Sequence, residues 1–368
     1  MIRSAQRVLI YRLGSLGDTI VALPSLHLVA DAFPNAERRM LTNTAEIAKT
    51  TSTEAVLTNS GLVHGFMTYP AGMRKFSSFW RLRRDIKRWR PDVLVYLAAP
   101  RGRIKAFRDA AFFRLCGIRT MIGVPFSRDQ QAVRALDANA FESEADRLAR
   151  CIKDLGDVRS SDVASWDLRL TDDERITARR LLPASLGRYI VVSPGAKVSS
   201  KDWGKENWQR LLARLSEKTA SSRLGLVLIG TKDEYQLGEW VSSCWVGDKV
   251  NLCGATNPRV AAAVLSKAVL FLGHDSGPMH LAAAVGTPCV ALFSAQNKPG
   301  EWFPHGPQHT VLYHKTDCYG CRLDSCPLNE KICMTSIAVD EVLSATRIQL
   351  QAHFFDNGVE KQSARRTS

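Results

Sequence analysis

The chain has 368 residues, of which 45% are hydrophobic and 23% are charged, and this much ordinary globular sequence corresponds to roughly two domains. Its mean hydropathy is −0.13, and no apolar run approaches the ~18 residues that a membrane-spanning helix needs, which argues against an integral membrane protein. The nine cysteines are not spaced like a secreted disulfide framework and the first apolar run is too short for a signal peptide, so we expect a cytoplasmic protein.

The formal net charge is +14, and much of the excess lies in one segment. Between Arg74 and Arg119 there are fourteen basic residues against three acidic ones. Such a concentration of positive charge favours a polyanionic partner: nucleic acid, an anionic membrane, or a phosphorylated or carboxylated substrate. For residues 81–90, a solvated helix face is the alternative interpretation.

The first half of the chain alternates short apolar runs with segments of helical periodicity. Residues 7–11 and 92–97 are predicted strands, and residues 23–33 and 103–116 are predicted helices. Strands that alternate with helices indicate right-handed βαβ units and a parallel sheet.

The segment that follows the first predicted strand reads R-L-G-S-L-G-D over residues 12–18. Its glycines, Gly14 and Gly17, permit a tight turn and the close approach of a ligand to the backbone, while amides near the helix start favour negative charge. It matches neither the dinucleotide-binding nor the P-loop glycine pattern. Asp18 is a candidate general base that accepts a proton from a ligand hydroxyl, and a simple helix cap is the alternative.

The βαβ pattern restarts after a polar stretch from about residue 159 to 187, which contains the cap-like T-D-D-E at 171–174. Strands are predicted at 189–193, 225–230, 269–273 and 288–293, and helices at 206–217, 259–268 and 278–285. Two such halves predict a pair of doubly wound, Rossmann-like α/β domains that face a cleft. We place the domains at 1–172 and 188–345, a linker at 173–187, and a helix end with a disordered tail at 346–368.

Two loops of the second half are predicted to hold phosphate groups. One follows the strand at 189–193 and offers small residues, a hydroxyl and two lysines, namely Gly195, Ala196, Lys197, Ser199 and Lys201. A basic surface loop is the alternative for this segment. The other reads G-H-D-S-G-P-M-H over residues 273–280, where a strand gives way to a helix whose first amides favour an anion. Its candidate residues are Asp275, Ser276, Gly277 and His280, although a helical histidine is more often part of a core.

Four cysteines are crowded near the end of the second half, at Cys318, Cys321, Cys326 and Cys333. Their spacing is acceptable for a structural Zn²⁺ or iron site, but the gaps are shorter than most zinc ribbons use. Reduced or partly disulfide-linked cysteines are the alternative. No catalytic metal is expected, because a helix terminus and a lysine already supply positive charge for a diphosphate.

Three ordered motifs together resemble glycosyltransferase family 9, whose best-known members are ADP-heptose lipopolysaccharide heptosyltransferases. They are the turn at 12–18, the P-G-A…K-x-W loop at 194–203 and the D-S-G-P-M-H-L-A-A-A-V-G-T-P run at 275–288, followed by the cysteine-rich segment. The resemblance implies a GT-B fold with an N-terminal acceptor domain and a C-terminal nucleotide-sugar domain. It also implies a metal-independent, inverting transfer that requires no cofactor.

The resemblance assigns roles to single residues. The family's base aspartate falls on Asp18, its phosphate-contacting lysine on Lys201, and its diphosphate loop on Asp275, Ser276, Gly277 and His280. One departure is notable: many members read K-R-W-P where this chain has K-D-W-G at 201–204, which removes an arginine beside the diphosphate.

We therefore expect an inverting hexosyl- or heptosyltransferase that moves heptose from ADP-heptose onto an anionic glycolipid of the lipopolysaccharide core. Its place is the inner face of the cytoplasmic membrane, with peripheral membrane contact and no nucleic-acid partner. The acceptor is expected to meet Gly14, Ser15, Gly17, Arg84, Lys87 and Arg88. A protein heptosyltransferase acting on autotransporter adhesins is the alternative among enzymes. A basic nucleic-acid-binding protein is the alternative from another class, although no nucleic-acid motif accompanies the charge.

Overall fold

The computed structural model describes residues 4–44, 52–70, 76–219, 224–327 and 330–364. The chain divides into two compact units, Met1–Thr171 and Asp172–Ser368, which we call the first and second unit. Each unit is built on a single parallel sheet among the described residues, so the predicted pair of doubly wound α/β domains is confirmed. Among those residues, no helix is both long enough and apolar enough to cross a membrane.

The first unit has five parallel strands in the order β3-β2-β1-β4-β5. The strands are β1 (Arg7–Tyr11), β2 (Glu37–Thr44), β3 (Gly65–Pro70), β4 (Val93–Tyr96) and β5 (Thr120–Ile122). The helices are α1 (Leu16–Val21), α2 (Leu23–Ala32), α3 (Thr53–Leu57), α4 (Phe76–Trp89), α5 (Arg103–Leu115) and α6 (Glu144–Cys151). Because the strand order reverses between β1 and β4, the loops that leave these two strands flank the crevice where such sheets bind ligands.

The core of the first unit explains why its central strands lack polar residues. Residues Val8 to Tyr11 of β1 and all of β4 are buried, as expected for strands that are covered on both faces. Helix α4 packs Leu82, Ile86 and Trp89 inward at helical spacing.

The second unit has six parallel strands in the order β11-β10-β9-β6-β7-β8. They are β6 (Tyr189–Ser193), β7 (Gly225–Leu228), β8 (Lys249–Asn251), β9 (Leu270–His274), β10 (Cys289–Phe293) and β11 (Thr310–Tyr313). The helices are α7 (Asp172–Leu181), α8 (Lys205–Thr219), α9 (Tyr235–Val241), α10 (Pro258–Leu265), α11 (Gly277–Ala284), α12 (Ile332–Thr335) and α13 (Val339–Ala364). This is the order of a dinucleotide-fold sheet, and its switch point lies between β6 and β9.

Two segments are more regular than the sequence indicates. The stretch predicted as a linker contains α7, which packs on α10 and forms a salt bridge between Glu174 and Arg259 at 2.5 Å, so it is an integral part of the second unit. The predicted tail is helical as far as Ala364, where α13 ends, and residues 365–368 lie outside the described residues.

Candidate functional site

The loop that leaves β1 positions Asp18 at the switch point of the first unit. The Asp18 carboxylate is at the third position of α1, and its Oδ2 accepts hydrogen bonds from the Ser15 backbone N–H at 2.8 Å and the Ser15 hydroxyl at 3.0 Å. Asp18 therefore caps the helix start, as the simpler interpretation predicts, but its side chain keeps about 25% of its surface exposed. Capping uses Oδ2 and leaves Oδ1 as the oxygen that can accept a further proton.

The conformation of the same loop explains why residue 14 is a glycine. Its φ of +124° is a conformation that side-chain-bearing residues rarely adopt, and a Cβ at this position would overlap the Asp18 carboxyl group. The glycine thus makes room for Asp18 itself.

Arg12 lies beneath Asp18 and is fully buried. Its guanidinium donates to the Leu97 carbonyl and to the Asp18 backbone carbonyl, and its NH2 lies 3.8 Å from Asp18 Oδ1. Burial lowers the pKa of Arg12, while the nearby carboxylates of Asp18 and Glu144 oppose that shift. The buried charge thereby ties the loops after β1 and β4 together, and it lies within ion-pair distance of the Asp18 carboxylate.

A cavity of about 510 Å³ opens beyond the carboxyl ends of β1, β2 and β3. Its apolar wall consists of Leu13, Leu41, Phe79, Leu82, Phe112 and Phe113. Its polar wall consists of Tyr11, Asn43, Tyr69, Arg101, Arg108 and Asp109. A pocket of this size, with aromatic walls and a few converging polar groups, is typical of a small-molecule binding site.

The polar wall of the cavity is a hydrogen-bonded network around Arg101. The Tyr11 and Tyr69 hydroxyls lie 3.0 Å apart, and Arg101 donates to the Tyr11 hydroxyl at 3.2 Å and forms an ion pair with Asp109. Burial raises the pKa values of Tyr11 and Tyr69, so both phenols stay protonated. Burial disfavours the charge on Arg101, but the Tyr11, Tyr96 and Asp109 oxygens outweigh burial and raise the pKa of Arg101.

Two polar atoms of this cavity are buried and have no hydrogen-bond partner within the described part of the chain. They are Asn43 Oδ1, an acceptor, and Arg101 Nε, a donor. Arg108 adds a second cation, which shares the Asp109 carboxylate with Arg101 at 2.9 Å, so two guanidinium groups face one carboxylate. The cavity wall therefore carries net positive charge together with an unused donor and an unused acceptor.

The predicted acceptor residues are divided between two places. Gly14, Ser15 and Gly17 lie in the Asp18 loop, where Gly17 is buried and both donors of Ser15 point to the carboxylate. Arg84, Lys87 and Arg88 lie on the exposed face of α4, whereas α4 contributes Phe79 and Leu82 to the cavity. The structure does not bring this basic face to the cavity wall.

Sequence reasoning missed the cavity network. A signal was present: β1 and β4 both end in tyrosine, and Tyr69 is the residue before the end of β3. Side chains at the carboxyl ends of parallel strands meet at one edge of the sheet, which is why these tyrosines converge.

In the second unit, His274 joins the two loops at the switch point. The ring Nδ1 donates to the Gly195 carbonyl at 3.1 Å, and Nε2 accepts the Trp203 backbone N–H at 3.1 Å. Burial lowers the pKa of His274, and an imidazole that accepts a backbone N–H must be neutral at that nitrogen. His274 is therefore a structural clamp that sets the position of the loop after β6 relative to the end of β9.

Lys201 and Asp275 form the charged centre of this site. Lys201 Nζ donates to Asp275 Oδ2 at 2.6 Å, and Asn297 Nδ2 donates to the same oxygen at 3.2 Å. His280 Nε2 lies 4.0 Å from the other oxygen, Oδ1. An ammonium has three donors, and besides Oδ2 Lys201 reaches only the Asp275 carbonyl, at 3.4 Å, among the described residues, so a donor is left for a ligand.

The first turn of α11 lies next to this pair. Ser276 is the N-cap residue in extended conformation, and its buried hydroxyl oxygen has no hydrogen-bond partner in the described residues. Gly277 is the first helical residue and has no side chain, so a ligand can approach the helix start closely, whereas Pro278, the second, contributes no N–H. An unused hydroxyl beside the amides of a helix start is suited to an anionic oxygen.

The other predicted phosphate-binding residues of the loop after β6 form no hydrogen bond or ion pair with the Lys201–Asp275 pair among the described residues. Gly195 is buried, and the Glu234 side chain occupies the space where a Cβ would stand. Ala196 is half-buried and Lys197 exposed, while the Ser199 hydroxyl donates to the Asp324 carbonyl at 3.2 Å. Ser199 therefore fastens the loop to the cysteine-rich segment.

The local structure explains the departure K-D-W-G at 201–204. Asp202 Oδ1 accepts the Gly204 backbone N–H at 3.0 Å, and Gly204 has a φ of +98°. Proline has no N–H and cannot adopt that φ. Asp202 and Gly204 therefore form a turn that the K-R-W-P sequence of other family members cannot form.

The four cysteines of the predicted metal site are all free thiols. Cys318 and Cys321 are exposed, and Cys326 and Cys333 are partly buried. Burial raises the pKa of Cys333, and the other three thiols raise it further. Nevertheless, the residues that the structure describes contain no group of three or more histidine, cysteine or acidic side chains arranged to hold a metal ion.

Comparison with known proteins places this geometry in a family. The profile of Glycosyltransferase family 9 (heptosyltransferase) matches residues 105–332, which is more than half of the chain. The chain belongs to glycosyltransferase family 9. A curated relative, the lipopolysaccharide core heptosyltransferase OpsX of Haemophilus influenzae, is 25% identical over 154 residues, or 41% of this chain and 40% of that protein. The chain thus spans less than half of the length of this relative.

Solved structures establish the GT-B fold. A family 9 glycosyltransferase from Veillonella parvula aligns with a TM-score of 0.70 at 16% identity, covering 94% of this chain and 98% of that one. The ADP-heptose lipopolysaccharide heptosyltransferase II of Escherichia coli aligns with a TM-score of 0.65 at 18% identity, covering 94% and 99%.

Proposed function

We propose that this protein is an inverting heptosyltransferase that takes heptose from ADP-heptose and adds it to an anionic glycolipid of the lipopolysaccharide core. Family membership supports glycosyl transfer, and the similarity to a lipopolysaccharide core heptosyltransferase supports heptose as the sugar and lipopolysaccharide as the acceptor. The observation that carries the proposal is the start of α11, where the unpartnered Ser276 hydroxyl and the Lys201 ammonium surround free helix amides. Such a site fits the diphosphate of a nucleotide sugar.

In this proposal the second unit binds the donor. The α11 amides, Ser276 and the remaining Lys201 donor hold the diphosphate and stabilise the charge that develops on it when the sugar leaves. Through its hydrogen bonds to Gly195 and Trp203, His274 fixes the loop after β6 relative to the end of β9. These residues supply the positive charge that the leaving group requires, and we propose that transfer proceeds without a metal ion.

The first unit is proposed to bind the acceptor in the cavity beyond β1, β2 and β3. A sugar ring has C–H faces that pack on aromatic side chains and hydroxyls that suit the unused Asn43 acceptor and Arg101 donor. The net positive wall formed by Arg101, Arg108 and Asp109 favours an acceptor that bears a carboxylate or phosphate.

The proposed chemical step uses Asp18 as the general base. Its carboxylate removes the proton from the acceptor hydroxyl while the hydroxyl oxygen attacks the anomeric carbon of the donor sugar. The bond from that carbon to the diphosphate oxygen breaks, the nucleoside diphosphate departs with the electron pair, and the proton remains on Asp18. Attack on the face opposite the leaving group inverts the anomeric configuration.

A donor screen followed by a transfer assay tests the proposal. Thermal shift of the full-length protein with ADP-heptose, UDP-sugars and GDP-sugars should single out one nucleotide sugar, since a ligand at 100 times its Kd adds about 2.7 kcal/mol of stability. Release of ADP should then depend on a heptose-deficient lipopolysaccharide core. Stabilisation by a different nucleotide sugar, or release that needs no glycolipid, would contradict the donor or the acceptor assignment respectively.

Peripheral attachment to the inner face of the cytoplasmic membrane is part of the same proposal, because the acceptor is a lipid. The basic residues of the first unit, including Arg84, Lys87 and Arg88 on α4, are exposed and suited to anionic headgroups.

A further inference from the structure

Helix α5 in the first unit is apolar on two opposite faces. Ala106, Ala110 and Phe113 are buried and join the core cluster of this unit. The opposite face carries a second apolar row, the α5 stripe, which consists of Ile104, Phe107, Ala111 and Leu115. At about 100° per residue, the four members of the stripe lie within about 80° of one another on the helix.

The α5 stripe is turned to solvent. Ile104 is 87% exposed, Phe107 54% and Leu115 58%. Phe126, which is 39% exposed, packs its ring 4.9 Å from that of Phe107 and widens the apolar surface. The core of the unit explains the buried row of α5 and gives no reason for this second one.

Cations border the stripe on both sides. On the helix, Lys105 and Arg108 fall on one flank, Arg103 and Arg114 on the other, and all four are exposed. The one acidic residue of α5, Asp109, lies on the buried face and is paired with Arg101 and Arg108. An apolar ridge flanked by basic side chains is the pattern of a helix that lies in the interface of an anionic bilayer.

We infer that the α5 stripe and its flanking cations dock the first unit onto a lipid bilayer that carries anionic headgroups. Ile104, Phe107 and Leu115 would enter the acyl boundary while the lysine and arginine side chains remain among the headgroups. A second copy of this chain fits the surface less well, because a symmetric contact between two stripes would bring the same cations together. Nucleic acid would meet the cations but gain nothing from the apolar ridge.

This inference rests on the proposed function in one respect: it explains how a lipid-linked acceptor reaches the cavity. Arg108 borders the stripe and also lines the cavity, so the docked surface and the acceptor pocket are adjacent. A glycolipid sugar that projects from the bilayer would therefore arrive beside the cavity.

Vesicle flotation of the full-length protein tests the docking surface. The vesicles are phosphatidylcholine alone, or phosphatidylcholine with phosphatidylglycerol at about 3:1. The test variant is Ile104→Gln/Phe107→Gln/Leu115→Gln, whose side chains are 54–87% exposed. The matched control is Leu136→Gln/Val163→Gln/Val246→Gln, which removes three apolar side chains elsewhere that are 69–71% exposed. Because all six residues are exposed, both variants should fold like the parent.

We expect the parent and the control variant to float with the anionic vesicles, and the stripe variant to bind at least tenfold more weakly. Lys105→Gln/Arg114→Gln should also weaken binding and reduce its dependence on salt. The inference would be overturned if the parent does not bind anionic vesicles, or if the stripe variant binds them as well as the parent does. The inference would also be overturned if the parent does not float and is a dimer, and the stripe variant has the native mass of a monomer.

Transfer assays separate this inference from the proposed function. The stripe variant should show a raised KM for vesicle-embedded glycolipid and an unchanged KM for a soluble, delipidated acceptor. If no glycolipid supports transfer but flotation follows the pattern above, the proposed acceptor is wrong and the docking surface stands. If transfer occurs and the stripe variant floats and reacts like the parent, the docking surface is wrong and the function stands.

Discussion

Replacing Asp18 by asparagine separates the two roles that the structure gives this residue. Asp18 caps α1 through Oδ2, which accepts both donors of Ser15, and it is the proposed general base. Asparagine keeps a carbonyl oxygen that can accept the same hydrogen bonds, but it cannot hold the proton of an acceptor hydroxyl. Alanine removes both functions.

The expected magnitudes differ for the two variants. Loss of a general base costs about 10²-fold or more in kcat, equivalent to roughly 2.7 kcal/mol of transition-state stabilisation. Loss of a helix cap costs about 1 kcal/mol of stability, or about 2–4 °C in Tm for a unit of this size. Asp18→Asn and Asp18→Ala should therefore lose activity alike, while the alanine variant has the larger fall in Tm.

The assay measures ADP release with saturating donor and glycolipid, together with Tm and donor Kd for each variant. Donor Kd should be unchanged, because the proposed donor residues all belong to the second unit. Turnover of Asp18→Asn within tenfold of the parent, with its Tm also preserved, would show that Asp18 is only a cap and would refute the assignment of the base.

Three further outcomes are expected. Lys201→Gln should raise the Kd for ADP about tenfold or more, because a charge-assisted contact is lost, and an unchanged Kd by calorimetric titration would place the diphosphate elsewhere. Gly204→Pro should lower Tm by several degrees, since φ is +98° and the N–H to Asp202 is lost; a Tm at or above that of the parent would contradict the turn described. His274 is neutral in the fold with a lowered pKa, whereas an unfolded histidine titrates near 6.5, so below that pH the unfolded state binds more protons. The free energy of unfolding should then decrease as pH falls, by up to about 1.4 kcal/mol per pH unit from this group, and Tm between pH 7.5 and 5.5 should depend less on pH in His274→Gln.

Several features of this protein follow from the sequence by itself. The strand at Tyr189–Ser193 has the predicted bounds, and the helix predicted at 103–116 is Arg103–Leu115. These elements depend on local apolar periodicity, which a single sequence displays directly. The loops after the first strand of each half were also identifiable, because their glycines and polar residues interrupt apolar runs at the carboxyl ends of strands.

Other strands were hidden because distant groups compensate their polar residues. Strand β2 reads E-R-R-M-L-T-N-T and was not predicted, although Arg38 within it is 95% buried. The Arg38 guanidinium donates to the carbonyls of Phe33, Gly61 and Leu62. Burial of that charge is feasible only where the folded chain supplies those acceptors, and no local pattern reveals them.

The same physical reason explains which candidate residues the sequence revealed and which it did not. The turn at 12–18 and the motif at 273–280 are each one continuous stretch of sequence. Their residue types were therefore enough to predict Asp18 and Ser276 as candidate site residues. The cavity of the first unit joins Tyr11, Asn43, Tyr69 and Arg101 from four separate segments, and its unused donor and acceptor exist only after those segments pack. Local spacing in the sequence determined which loops could carry candidate site residues. Only the tertiary structure provides the long-range pairing of buried polar groups, and that pairing decided which side chains line the cavity together.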